Sequence, residues 1–211
     1  MEDLAAHTWR TRFEARLLDA SAESAHEMYG AAKQAAIGAM RGTVVEIGPG
    51  TGVNMRYYAP GVHVIGLEPN PGMHELLRAK ADRQEVDLEI RTSGAESIDL
   101  PDASVDGVVG TLVLCGVDDP DQVLREVRRV LRPGATYFFL EHVVAPQGTT
   151  TRRAQRLLRR PHRWLFNGCV VDRHLGASIE AAGFASVDLE HRDEGVAGLH
   201  VRHRILGTAI A

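Results

Sequence analysis

Val44-Val45-Glu46-Ile47-Gly48-Pro49-Gly50-Thr51-Gly52 places a glycine-rich turn directly behind a short β-branched run that ends on an acid. Glycines at alternate positions let the backbone take positive φ and approach a ligand with no Cβ atoms in the way. A ligand is therefore expected against this turn. The spacing departs from the GxGxxG of nicotinamide dinucleotide sites, because the third glycine follows the second by two residues and gives ExGxGxG.

Outward from this loop the chain alternates short β-rich runs with helix-length segments, the pattern of βαβ units around a parallel sheet. Strands are expected at Thr43–Ile47, His63–Leu67, Asp87–Arg91, Val105–Thr111 and Thr136–Glu141. Helical periodicity runs through Pro71–Arg83 and Asp121–Leu131, with Pro71 and Pro120 as helix starts and Pro133-Gly134 as a stop. Right-handed crossovers then put helices on both faces of the sheet. An arginine-rich helix, a helix around Leu175–Ala182 and two late β runs, Ser186–Glu190 and His203–Ile210, complete the reading. At the front, Trp9, Phe13 and Leu17 mark one amphipathic helix and Met28, Ala32, Ala36 and Met40 a second. These are read as a helical cap on a single 211-residue domain: cap 1–40, cofactor-binding core 41–145, substrate-side helices and last strands 146–211.

The second strand run, Val64-Ile65-Gly66-Leu67, ends at Glu68-Pro69-Asn70, about 20 residues beyond the glycine turn, where a carboxylate accepts from ribose hydroxyls. Glu68 and Pro69-Asn70-Pro71 also suit a helix start. Behind the third strand, Ser93-Gly94-Ala95-Glu96 offers a small-residue turn for stacking and an acid that can accept from an exocyclic amine.

ExGxGxG with Glu46 at the strand end resembles motif I of class I S-adenosylmethionine-dependent methyltransferases. Glu68, the Gly94–Glu96 turn, the strand 104–114 and Leu131-Arg132-Pro133-Gly134 follow in the order of the methyltransferase-11 group. That resemblance implies a Rossmann-like α/β fold with a seven-stranded, mostly parallel sheet, helices on both faces and an antiparallel last hairpin. It implies S-adenosyl-L-methionine as cofactor and S-adenosyl-L-homocysteine as product, held by Glu46, Gly48, Gly50, Thr51, Gly52, Asn54, Glu68, Pro69, Met73, Gly94, Ala95, Glu96, Thr111 and Leu112. The stretches Gly110–Cys115, Leu124–Gly134, Phe138–Val143 and Trp164–Cys169 are similar to thiol methyltransferase-like proteins. Eukaryotic members of that group begin with a hydrophobic anchoring segment, where this chain begins with an amphipathic helix.

Methyl transfer is an in-line displacement at a carbon already activated by its sulfonium leaving group, so alignment and desolvation supply much of the rate. A base is needed only when the acceptor keeps its proton at neutral pH. The expected acceptor site lies beyond the carboxyl ends of the strands, with His142 as the catalytic candidate and Trp9, Cys115, His142 and Trp164 as substrate contacts. A structural role for His142 at the strand end is the alternative. Cys115 among apolar neighbours is read as a buried thiol and not as a nucleophile.

Two cysteines, 54 residues apart, form no disulfide framework or CxxC site, so both are expected free and no metal is expected. The opening residues lack a secretion signal, and no window approaches the roughly 20 apolar residues of a membrane span, so a cytoplasmic protein is expected. A net charge of −4 speaks against nucleic acid as a general partner. Locally, six arginines stand within residues 152–163, with Leu157, Leu158 and Leu165 as expected apolar anchors. That helix leaves open an anionic acceptor, an RNA or a peripheral membrane contact. The sequence therefore reads as a methyltransferase of small molecules, thiols slightly ahead of hydroxyls or amines, working as a monomer or homodimer. RNA methylation and a non-catalytic cofactor-binding sensor or scaffold are the competing readings.

Overall fold

Seven β-rich runs become strands in the computed structural model, which describes residues 9–166, 168–194 and 198–211. They are β1 (Thr43–Ile47), β2 (His63–Leu67), β3 (Asp87–Arg91), β4 (Val105–Thr111), β5 (Leu131–His142), β6 (Ser186–Asp193) and β7 (His203–Ile210). All join one sheet in the order β3-β2-β1-β4-β5-β7-β6. The first five pair in parallel, while β7 lies antiparallel between β5 and β6. The antiparallel placement sets His142 of β5 opposite Arg204 of β7 and so brings the start of β7 to the carboxyl edge.

The helices are α1 (Trp9–Ala36), α2 (His74–Arg83), α3 (Pro120–Val130), α4 (Thr150–Leu165) and α5 (Leu175–Ala181). Side chains alternate across a strand, so neighbouring residues feed opposite cores. Val45, Ile47, Tyr137 and Phe139 pack with Leu124, Val127 and Ile179 on one face. On the other, Val44, Val64, Phe138 and Leu140 pack with Ile37 and Leu77. Parallel strands buried on both faces read as continuous apolar runs, as Tyr137-Phe138-Phe139-Leu140 does.

Four expectations change. The front of the chain is one 28-residue helix and not two. Its buried face holds Tyr29 and Lys33, with Ile37 just past its end also buried, whereas Met28 is exposed, so the apolar stripe read from sequence lies one residue off. A buried lysine on that face disguised it. Met40 falls beyond the helix and packs over Gly107 of β4, where a Cβ would stand 2.9 Å from its sulfur. The segment after Pro71 opens with a short 3-10 turn, Pro71–Met73, before α2. Asn70 caps it by accepting from the Gly72 amide. Finally, α3 hands over directly to β5: Val105 pairs with Leu131, and pairing resumes at Gly107 with Thr136, so Pro133-Gly134 sits in a bulge.

Candidate active site

β1 delivers Glu46 to the carboxyl edge fully buried. Its Oε1 accepts from Asn54 Nδ2 at 2.8 Å and its Oε2 from Tyr58 OH at 2.7 Å. Asn54 also donates to Thr111 Oγ1 at 2.9 Å and accepts from Lys33 Nζ at 2.8 Å. Three residues expected at the cofactor, Glu46, Asn54 and Thr111, are thereby tied together by direct bonds. Burial raises the Glu46 carboxyl above its usual range, with the Tyr58 and Asn54 bonds opposing. Burial likewise lowers Lys33 to about 8, with Glu46 opposing.

Gly48, Gly50 and Gly52 all take positive φ, at 59°, 56° and 82°. At Gly48 a Cβ would also stand 2.6 Å from Val113 Cγ2, so two separate constraints demand glycine there. Glu68, at the end of β2, reaches across to this turn: Oε2 accepts from Gly50 N and Oε1 from Asn70 N, both at 2.9 Å. Burial raises its carboxyl, and the two amides partly offset the rise. Met73 is buried just beyond, while Pro69 is exposed. Leu112, directly after β4, is one of three non-glycine residues at positive φ among the described residues, and its amide donates to Leu140 O at 2.7 Å. Such a conformation costs on the order of 1–2 kcal/mol and marks a backbone held for a purpose.

At the expected adenine turn Ala95 is buried and Gly94 is exposed. Glu96 is partly committed elsewhere, its Oε1 accepting from the Asp118 amide at 3.1 Å. Ser93 Oγ, in contrast, is buried with no partner among the described residues. Such a hydroxyl is left to bond water or a ligand group, and with Glu46, Asn54 and Glu68 it belongs to the groups that could hold an adenosyl cofactor.

Helix α1 lies over this edge. Asp19 Oδ1 accepts from Thr51 Oγ1 at 3.0 Å and from Lys80 Nζ at 2.5 Å. Further along, His26 Nδ1 meets Tyr57 OH at 2.8 Å, and Tyr29 OH accepts from Arg204 Nη1 at 3.0 Å. Helix α1 therefore contacts both the glycine turn and the start of β7. The side chain of Trp9 lies outside the described residues.

On the acceptor side, Glu141 is fully buried and acts on the backbone: Oε1 accepts from Val113 N and Leu114 N at 3.0 and 2.9 Å, and Oε2 from Cys115 N at 3.4 Å. It fixes the path of the chain leaving β4. Burial pushes its carboxyl up to about 8 against those amides. Next to it His142 is buried, and burial lowers its imidazole below the ordinary value, so it stands neutral. Folding closes the 54-residue gap between the two cysteines: Cys115 and Cys169 Sγ are 3.1 Å apart, both free, and each is 3.9 Å from His142 Nδ1. Contact between the two sulfurs is the largest influence on both thiols, lowering Cys169 and raising Cys115, so they titrate as a pair. His162 of α4 also approaches Cys169 and pairs with His200 at 3.1 Å.

Trp164 is not brought to this group. It is 59% exposed, and at 100° per residue it points nearly opposite to His162. The inward face of α4 carries Thr151, Gln155 and His162. Gln155 closes the neighbouring loops by donating to Val143 O and Val171 O and accepting from Ala145 N. Leu157 and Leu158, expected as anchors, are exposed. A hollow of about 460 Å³ between Met40, Gly42, Asp106 and Thr136 opens at the amino edge, away from every group above.

Lys33, Tyr58, Cys169 and Arg204 are groups at this edge that sequence reasoning missed, while Ser93 was read only as the first residue of the 93–96 turn. Only Cys169 carried a local signal, the Gly168-Cys169 pair after the arginine helix.

The sheet order, the glycine turn behind a buried strand-end acid and the carboxylate at the end of β2 define a class I S-adenosylmethionine-dependent methyltransferase. Residues 45–139 match the family described as methyltransferase domain. The chain is 39% identical to thiol S-methyltransferase TMT1B of Rattus norvegicus over 80% of its own length and 70% of that protein. It is 36% identical to thiol S-methyltransferase TMT1A of Homo sapiens over the same shares. It belongs to the family of these enzymes. In fold it is similar to a chain of the Haloferax volcanii complex of the Trm112 methyltransferase activator with a methyltransferase, with a TM-score of 0.70 and 16% identity over 98% of this chain and 99% of that one.

Proposed function

We propose that the chain methylates the sulfur of a small-molecule thiol, in the cytoplasm, with S-adenosyl-L-methionine as donor. The observation that carries this reading is the 39% identity, across 80% of the chain, to a protein named a thiol S-methyltransferase. The chemistry of the acceptor edge agrees. A free thiol has a pKa near 8.5, so little assistance suffices to remove its proton, whereas an alcohol demands a far stronger base. The sheet and α1 exclude water from the donor, and Glu46, Asn54 and Glu68 fix its orientation.

The test is incubation with methyl-labelled donor and matched thiols, phenols and amines. Label is expected in the thioether alone. Transfer to none of them, with the donor bound, favours a sensor or scaffold role instead. His142→Ala should lower kcat/KM by roughly 10²-fold or more while leaving donor affinity unchanged; full turnover in this variant removes His142 from the chemistry.

A second contact rests on α4. Its outward side divides into a cationic sector, with Arg153, Arg156, Arg160 and Arg163, and an adjoining apolar sector with Leu157, Pro161 and Trp164. Leu157 is 79% exposed. RNA offers little to such an apolar strip, whereas an anionic phospholipid surface takes both sectors at once. We therefore propose a peripheral membrane contact through α4. Among the described residues no helix is long and apolar enough to cross a membrane.

A further inference from the structure

We propose that Cys115 Sγ, Cys169 Sγ and His142 Nδ1 bind a zinc ion that leaves its fourth position for the acceptor's sulfur. The proposal rests on the thiol reading above and says how the thiolate is made.

Three donors of the types zinc prefers converge from three elements: the end of β4, the end of β5 and the loop behind α4. Their ligand atoms all lie within 4.8 Å of one another. Two sulfurs bonded to a tetrahedral zinc at about 2.3 Å stand about 3.8 Å apart, and sulfur and nitrogen about 3.5 Å. The observed separations are 3.1 Å between sulfurs and 3.9 Å from each sulfur to Nδ1. Changes of about 0.7 and 0.4 Å convert one arrangement into the other. A disulfide would use the two sulfurs and leave the imidazole facing both without a task. A metal uses all three.

The backbone holds the donors independently of any ion. Glu141 fixes the amides of residues 113–115, and Val170 N donates to Cys115 O at 2.7 Å, which binds the two cysteine loops together. His142 is set by the β5–β7 pairing. A Cys₂His set with one open position is the pattern of catalytic zinc, where structural sites have all four positions filled by protein. His162, whose buried Nε2 has no partner among the described residues, stands beside Cys169 at the edge of the group.

With two thiolates and one neutral imidazole the loaded site is electrically neutral, so it does not repel a cationic methyl donor. An acceptor thiol binding there gives up its proton to solvent and holds its sulfur as a thiolate. A sulfur lone pair then forms the new bond to the methyl carbon, and the pair of the breaking carbon–sulfonium bond goes to the departing sulfur. Thiol and sulfonium become thioether, neutral thioether product of the donor and one proton. The metal changes neither charge nor oxidation state.

Cobalt(II) substitution of the full chain tests this without relying on turnover. The expected result is about one cobalt per chain with a sulfur-to-cobalt charge-transfer band, and visible bands that shift when 2-mercaptoethanol is added and not when ethanol is added. In Cys169→Ser and His142→Gln, retained metal should fall on the order of tenfold or more. Wild-type chain that retains no zinc and develops no charge-transfer band overturns the proposal, whatever the variants do. Two thiols that then oxidise together identify a dithiol pair instead. Metal bound with bands indifferent to the thiol overturns the open-position part and leaves a structural site. Thiol methylation that persists after chelation, with no metal retained, sinks the zinc site and leaves the thiol reading standing.

Discussion

At the scale of single residues the site depends on buried charges with few partners each. Glu68 serves the glycine turn through Gly50 N and would accept from the ribose of the donor, so Glu68→Ala should weaken donor binding by roughly 10–100-fold, the loss of about 1.5–3 kcal/mol of charge-assisted bonding. Calorimetric titration checks this, and an unchanged affinity removes Glu68 from the cofactor site. Lys33 makes a pH prediction. Its folded pKa, about 8, lies below the ordinary lysine value of 10.5, so between those values the unfolded chain carries a proton that the folded chain lacks. Stability should therefore rise with pH through that window and fall again as pH drops toward 8. Lys33→Met should flatten this rise, measured as the urea midpoint at about pH 7.5 and 9.5; identical slopes in both proteins would contradict the assignment. Glu46, Gly48 and Glu68 were legible in sequence because backbone approach to a ligand demands glycine at fixed offsets from a strand end. Lys33 was not, since its role comes from burial that only the folded chain creates.

Among the elements, the parallel strands β1–β4 were readable to the residue, because each is a short β-rich run bounded by turn residues, apolar in β1, β2 and β4 and alternating in β3. β5 was not, as its first residues continue from α3 through a bulge at Pro133-Gly134. Helix α1 misled in a different way: Lys33 on its buried face broke the apolar stripe and moved the reading to Met28 and Ala32. In α4 the arginines were plain but the orientation was not, because the inward face is polar, with Gln155 bonded on three sides. The outward face carries its own prediction. The protein should sediment with vesicles rich in phosphatidylserine and not with phosphatidylcholine alone, and binding should weaken as salt rises. Arg156→Glu with Arg160→Glu should reduce that binding on the order of tenfold or more, two surface arginines being worth about 1 kcal/mol each before reversal of charge. Equal binding by both proteins would rule out α4 as the contact.

For the whole molecule, sheet topology explains why the acceptor groups were harder to foresee than the donor groups. Most of the groups proposed to hold the donor come from β1, β2 and the turns after them, which are consecutive in the chain. The acceptor edge is assembled from β4, β5, the loop behind α4 and the antiparallel β7, and it closes only when the last strand inserts between β5 and β6. Cys115 and Cys169 illustrate this: 54 residues apart in sequence, they end in contact. The same topology puts donor cradle and acceptor groups on one edge under α1, which is what direct transfer to sulfur requires. The most direct measurement uses 2-mercaptoethanol, which carries a thiol and a hydroxyl on one small molecule, with methyl-labelled donor and product analysis by mass spectrometry. The methyl group should appear on sulfur alone, with one S-adenosyl-L-homocysteine formed per methyl transferred. Methyl on oxygen, or donor bound with no methyl transferred, would contradict it.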